Sequence, residues 1–399
     1  MKRKIGTVAI GIRAPIIKEG DDLVGIVVDS VIKAQGENSF KLKDKDVIGI
    51  TESLVARAQG NYVTVNQVAD EIYYKFKGNV GVVFPILSRN RFSLILKAIS
   101  RGSERVNMLL KYPNDEVGNP VMDKEVLYNL GINPFSKTLK EKDYIKHFSD
   151  FKHPNTGINY VDFYRKIVES EKAKFSILFS NNPMDILRLT DKTLAADIHT
   201  RKETKRILNN SGAKIVYGLD DICKSPAEKS GYNPDYGLLG SNKMSEESLK
   251  LFPRAENEKG ENYVEKIQKN IKKSTGKNVE VMIYGDGAFK DPNGIWELAD
   301  PVVSPSFTNG LNGSPNEIKM KYVADNNLKK LKGKECENAM RELIQLKDKN
   351  LMGRMESQGT TPRQYSDLLG SLCDLVSGSG DKGTPIILIQ GYFDNYASE

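Results

Sequence analysis

What most constrains this chain is a rhythm of short, nearly unbroken apolar runs, each ending in polar residues or glycine and separated from the next by a helical stretch. VIGIT (47–51), NVGVVF (79–84), KFSILF (174–179), AKIVYGL (213–219), NVEVMIY (278–284) and PIILIQ (385–390) are such runs. Strands that alternate apolar and polar residues have one wet face, whereas unbroken runs mark strands covered on both faces, as in parallel sheets flanked by helices. A mixed α/β fold, α+β in places, is therefore expected. No apolar run approaches the roughly 20 residues that a membrane span needs. The opening MKRKIGTVAIGIRAP is basic and then apolar, but it is too short and is interrupted by Arg13 for a signal peptide. A soluble, cytoplasmic protein with no membrane association is the expectation.

Breakers divide the 399 residues into three parts. Residues 1–112 alternate strand and helix signals. A strand is predicted at Thr7–Ile10 and a helix over Asp21–Ala34, with Asp21 and Asp22 suited to its positive N-terminus. The strand VIGIT follows, then the helix ESLVARAQG stopped at Gly60, the strand NVGVVF and the helix RFSLILKAISRG. Residues 113–231 open on the turn-rich YPNDEVGNP and contain KFSILFSNN, TLAADIHT and AKIVYGL between helices, a partly parallel α/β region. Residues 232–399 hold a helix at Asn262–Thr275 with Val264, Ile267 and Ile271 on one face, and a strand ending at Asp286. A Pro-, Gly- and Asn-rich loop over 287–317, a helix at Arg363–Val376 and the closing strand PIILIQGY complete this part.

Composition removes several chemistries. Cys223, Cys336 and Cys373 lie far apart with no CxxC, so neither a disulfide framework nor a cysteine zinc site is indicated. His147, His153 and His199 are the only histidines, with no HExxH. There is no GxSxG elbow, no Walker A motif and no GxGxxG after a strand. Catalysis would then rest on carboxylates, basic side chains and backbone amides. The 59 Lys+Arg against 52 Asp+Glu give +7, a weak pointer to nucleic acid.

Four features carry candidate chemistry. Asp286, between glycines at the end of a strand, is placed to reach a metal or substrate, or is an ordinary turn residue; Asp291 and Asp300 follow in the same loop. Oxygen ligands without His or Cys suit Mg²⁺ or Mn²⁺. The loop Ser377-Gly378-Ser379-Gly380-Asp381-Lys382-Gly383 offers backbone N–H groups to phosphate, or is a helix C-cap and turn. Arg89 and Arg91 stand together just before a helix, in a stretch from Arg89 to Arg105 that also holds Lys97, Arg101 and Arg105. They suit a carboxylate or phosphate of a substrate, or belong to a solvated face. His199, after an apolar run, is a general base, a substrate ligand or a buried structural residue. Trp296, in the loop after Asp286, is by default a core residue.

Three segments in order resemble the γ-glutamyl ligases of coenzyme F420 biosynthesis. GIRAPIIKEGDDLVGIVVDSVIKA with FKLKDKDVIGITESLVARAQGN (11–61) is similar to the family's G-x-x-x-P-x-I-x-x-G-D-x-L and S/T-x-x-x-K-A-x-G patterns. YGLLGSN with ENYVEKIQKNIKKSTGKNVEVMIYGDGAFKDP (236–292) is similar to A-G-x-D-x-S-N and T-G-K-x-V-x-V-I-I-x-D-[ST]. SDLLGSLCDLVSGSGDKGTPIILIQGY is similar to the family's ending. These segments cover about 145 residues, and the central 113–231 reads as an insertion into a ligase-like fold.

The resemblance implies a GTP- and divalent-metal-dependent homodimer. In that family a substrate carboxylate is phosphorylated and the acyl phosphate is attacked by the amine of L-glutamate. F420-0 or a folate-like carboxylate would be the acceptor. It implies nucleotide contacts for Arg13, Ala14, Pro15, Ile16, Ser53, Arg57, Asn242 and the 377–383 loop. Metal ligation falls to Asp286, with Asp235 and Asp291 as further candidates, and Arg89, Arg91 and His199 remain candidates for substrate. Arg57 stands where the family has Lys, Leu239 where it has a metal-binding Asp, Gly287 where it has Ser/Thr, and Ser379 where it has a metal ligand. The other reading is a non-catalytic relative that binds an anionic ligand or nucleotide. Nucleic acid is not an expected partner, the +7 balance being assigned to small anionic substrates.

Overall fold

The computed structural model describes residues 4–37, 40–227, 230–257, 259–286, 302–360, 363–378 and 380–398. They form two compact units, one drawn from Met1–Val55, Ala255–Gly285 and Val302–Glu399, the other centred on Ala56–Arg254.

In chain order, β1 (Val8–Ile12), α1 (Leu23–Glu37), β2 (Val47–Thr51) and α2 (Glu52–Ala58) come first. The α1 helix forms where Val24, Val27, Val28 and Val31 recur at helical spacing, and all four are buried. Next come β3 (Tyr62–Thr64), α3 (Val65–Phe76), β4 (Gly78–Val83), α4 (Phe92–Arg101), β5 (Ser103–Leu110), α5 (Lys124–Asn129), β6 (Leu139–Lys140) and α6 (Glu141–Phe148). Then α7 (Tyr160–Ser170), β7 (Lys174–Phe179), β8 (Lys192–Ala195), α8 (Arg201–Asn210), β9 (Ile215–Gly218), β10 (Asn242–Ser245) and β11 (Ser248–Lys250) follow. The chain closes with α9 (Tyr263–Thr275), β12 (Glu280–Asp286), β13 (Val302–Phe307), α10 (Met320–Asn326), α11 (Gly333–Leu346), α12 (Tyr365–Val376) and β14 (Ile386–Gln390).

The first unit is built on a five-stranded sheet in the order β1-β14-β2-β12-β13. Strand β14 runs antiparallel to both β1 and β2, whereas β12 is parallel to β2. Helix α12 lies so close to β2 that a Cβ on Gly49 would stand 2.3 Å from Cys373 Sγ. The α9 helix ends as expected, at Gly276 with φ 72°. Helices α10 and α11 form a separate small core of Val323, Leu328, Met340 and Ile344.

The second unit holds a six-stranded sheet, β6-β7-β5-β4-β8-β9, in which every pairing except β6–β7 is parallel. Strand β4 leads through α4 to β5 and then β7 on one side, and the chain returns to β8 and β9 on the other. This is a doubly wound order that reverses between β4 and β8. A smaller antiparallel sheet, β10-β11-β3, accompanies it.

The mixed α/β expectation holds. Two details differ from the sequence reading. The run expected to be loop from 287 to 317 contains β13, whose VVSPSF carries a proline that a strand tolerates at a sheet edge, where β13 lies. The boundary drawn after residue 112 falls inside one sheet, because β4 and β5 pair with β7 and β8. A parallel sheet is assembled from strands distant in sequence, so a turn-rich segment between two of them is a surface connection and not a domain edge.

Candidate functional site

Four strand ends meet at one edge of the first unit's sheet. Ile12, the last residue of β1, pairs with Ile386, the first of β14, and Ile386 in turn pairs with Ile50 near the end of β2. Thr51 of β2 pairs with Tyr284 of β12, so both parallel strands finish at that edge. The reversed direction of β14 therefore brings the glycine-rich loop before it beside the carboxyl ends of β1 and β2.

Backbone contacts fix the arrangement. The Ala14 N–H donates to the Gly383 carbonyl at 3.3 Å, joining the segment after β1 to the glycine-rich loop. The loop closes on itself through Thr384 N–H to Gly378 O at 2.9 Å and Gly383 N–H to Gly380 O at 3.3 Å. Gly378 is buried, and a Cβ there would stand 2.4 Å from Lys382 Cβ. The Thr51 N–H donates to Pro385 O at 3.1 Å, tying β2 to the far side of the loop. Arg13, Pro15, Ile16, Asp381 and Lys382 are exposed at this edge, and Ala14 is half-buried. Of the residues expected at the nucleotide, Arg13–Ile16 and the described part of 377–383 are thus brought together. Ser53 follows directly, half-buried in the first turn of α2.

Glu52 was missed in the sequence reading. It opens α2, accepts the Thr51 hydroxyl at 2.8 Å, and lies against the end of β12. A Cβ on Gly285 would come within 2.7 Å of Glu52 Oε2, so the glycine preceding Asp286 is what lets this carboxylate in. The signal was present in ITES, an acidic residue straight after an apolar strand, but it stands one position before the S/T that opens the family pattern and is not part of that pattern. Burial pushes the Tyr284 phenol well above its ordinary value; Ser377 acts against the shift, while the Asp374 and Glu52 carboxylates add to it.

The remaining expected residues are placed as follows. Asp286 is the last residue of β12. Asp291, Ser379, Gly287, Asp300 and Trp296 lie outside the described residues. Among the described residues no group of three or more His, Cys, Asp or Glu is arranged to hold a metal ion. In the second unit, Arg57 is half-buried in the last turn of α2, Asn242 opens β10, and Asp235 is exposed. Leu239 is 7% exposed and belongs to the apolar core.

Arg91 is buried at the start of α4, its N–H bonded to Ser88 Oγ at 3.2 Å, while Arg89 is half-buried beside it. His199 is exposed, so it is no buried structural histidine; its N–H donates to Glu116 Oε2 at 3.3 Å. Arg101 is committed elsewhere, to Glu171 at 2.8 Å and Glu247 at 2.7 Å. No helix among the described residues is long and apolar enough to cross a membrane.

The profile of the F420-0:gamma-glutamyl ligase family matches residues 11–391. The chain belongs to this family. The match runs through the whole doubly wound unit as well as both ligase-like segments. No curated protein matches the chain. Family membership gives the coarse activity, a γ-glutamyl ligase of coenzyme F420 biosynthesis.

Proposed function

We propose that the chain joins L-glutamate to a carboxylate acceptor at the expense of GTP, through an acyl phosphate, at the sheet edge described above. What supports this most is the bond from Ala14 N–H to Gly383 O, which unites at one edge two segments expected to hold a nucleotide. An exposed Arg13 and Lys382 beside the glycine-rich loop offer positive charge and backbone N–H groups to phosphate oxygens.

Glu52, beside Gly285 at the end of β12, offers an oxygen donor of the kind a hard divalent ion such as Mg²⁺ or Mn²⁺ takes, and the resemblance implies Asp286 as a metal ligand. Such an ion, when bound, would neutralise triphosphate charge. The chain's own groups orient the nucleotide while an acceptor carboxylate oxygen attacks the γ-phosphorus and the bond to the departing GDP breaks. The glutamate amine then attacks the acyl carbon, loses a proton, and phosphate leaves carrying the acceptor's oxygen. No protein nucleophile is needed, in keeping with an edge that holds neither Cys nor His among its described residues.

The acceptor is F420-0 or a folate-like carboxylate, with Arg89, Arg91 and His199 proposed as substrate contacts, Ser53, Arg57 and Asn242 as further nucleotide contacts, and Asp235 and Asp291 as further metal ligands. The working form is a homodimer, to be read by sedimentation. Incubation with GTP, Mg²⁺ or Mn²⁺, glutamate and each acceptor, with mass gain as readout, tests the reading; no gain on any acceptor together with no phosphate release contradicts it. One observation favours a second reading, a relative that binds nucleotide or another anion without turnover. Leu239, where the family places a metal-binding Asp, is an apolar core residue. Calorimetric binding of GTP without phosphate release would support that second reading.

A further inference from the structure

The second unit carries a cavity of about 470 Å³ between the start of α4, the outer face of α7 and the β10–β11 hairpin. Its floor is apolar, built by Leu94, Phe163 and Ile167. Its rim is cationic: Arg89, Lys97 and Lys243 face one carboxylate, Glu246. The first turn of α4 also lines it, through Ser93 and Leu94.

The hairpin side of the cavity is held by charge. Glu247 bonds both Lys97 and Arg101, and these partners hold its carboxyl down to about 2. Lys243 is paired with Glu246, whose carboxylate is fully exposed on the hairpin turn. An exposed pair of this kind contributes little to stability, so an incoming anion can take Lys243 from Glu246 at small cost. Arg89 presents a planar fork suited to two oxygens of one acid group.

We propose that this cavity is a binding site for a small amphiphilic anion, an apolar or aromatic body on the Leu94–Phe163–Ile167 floor with a carboxylate or phosphate held by Arg89 and Lys243. The volume suits a body of about 20 heavy atoms or fewer, in the lower range of small-molecule pockets. Both parts of the ligand contribute, because the lining sets apolar side chains beside cationic ones. The site shares Arg89 with the substrate contacts proposed above, and the cavity carries it independently of turnover. It adjoins the hairpin that begins at Asn242, which gives an occupant a way to stiffen that strand pair.

Calorimetry on the full chain, with no nucleotide or glutamate present, tests it with 1-naphthyl phosphate, 1-naphthoate, 1-naphthol and inorganic phosphate as probes. The naphthyl phosphate and naphthoate are expected to bind at least 10-fold more tightly than naphthol or phosphate alone, and the stronger of the two identifies the acid group. Arg89→Gln and Ile167→Glu, each with an unchanged melting temperature, should each weaken that binding at least 10-fold. Hydrogen exchange over 243–247 should slow when the probe binds. Equal binding of naphthol, or affinity unchanged in both variants, overturns the site. Ligase turnover in the same preparation is a separate readout, so loss of the site with turnover intact removes this inference alone.

Discussion

The two large sheets treat their edges differently. In the doubly wound sheet, the loops after the parallel strands are tied down by buried side chains. Asp115 accepts the N–H groups of Leu87 at 2.9 Å and Asn119 at 2.8 Å, and the Tyr164 hydroxyl accepts the Ser88 N–H at 2.8 Å. Asp197, fully buried, accepts the hydroxyls of Thr200 at 2.6 Å and Thr204 at 2.7 Å, and Glu116 takes the N–H of Ile198 at 2.5 Å. In the five-stranded sheet the corresponding loops are held by backbone contacts, and their charged side chains, Arg13, Asp381 and Lys382, are exposed. A parallel sheet whose edge is consumed by its own side chains is a scaffold there. An edge whose loops are joined by backbone bonds leaves exposed side chains such as Arg13 and Lys382 for a ligand.

The largest expected effect breaks this comparison at the edge proposed to hold the nucleotide. Glu52→Gln should lower ligase turnover by about 100-fold or more while leaving the melting temperature unchanged, the scale on which preorganised charge acts. A variant that keeps full turnover would show that the edge is not the site.

The next effect belongs to the other sheet. Burial raises the Asp115 carboxyl to about 6 despite its hydrogen bonds to Asn119, Leu87 and Val117. The native state then holds this proton more tightly than the unfolded chain does. Stability should therefore fall as pH rises from about 4 to 6, by about 3 kcal/mol, and be flat in this respect above that range. Asp115→Asn should abolish that slope in urea unfolding at pH 4.5 and 7; a slope that persists in the variant means another group produces it.

A smaller effect probes packing under the proposed nucleotide edge. Gly49→Ala drives a methyl into Cys373 Sγ and should cost about 1–3 kcal/mol. Adding Cys373→Ala should recover much of that loss, since it removes the clashing atom, and a double variant no more stable than Gly49→Ala would contradict the close approach. The smallest is Tyr164→Phe, which removes the hydroxyl bonded to Ser88 N–H and Ile86 O and should cost about 1 kcal/mol in the same assay with turnover unchanged.

Much of the fold was legible because burial on both faces writes itself as apolar runs: β2, β4, β7, β12 and β14 all fall where VIGIT, NVGVVF, KFSILF, NVEVMIY and PIILIQ predict. What was not legible were pairings over long separation. Nothing in NVGVVF says that its neighbours are residues 103–110 and 192–195, and β3, β10 and β11 are too short to show a period. At the site, the glycine-rich loop and Arg13–Ile16 were readable as motifs. Glu52 was not, because its meaning depends on Gly285, a residue more than 200 positions away that makes room for it.

The central claim is that an acyl phosphate forms from the acceptor carboxylate. Incubation of the full chain with GTP, Mn²⁺, L-glutamate and F420-0 labelled with ¹⁸O in its carboxylate, followed by mass analysis of the released phosphate, tests it most directly. One ¹⁸O in each phosphate, matched by one glutamate added to the acceptor, is the predicted result. Glutamate addition with unlabelled phosphate, or no addition at all, would contradict it.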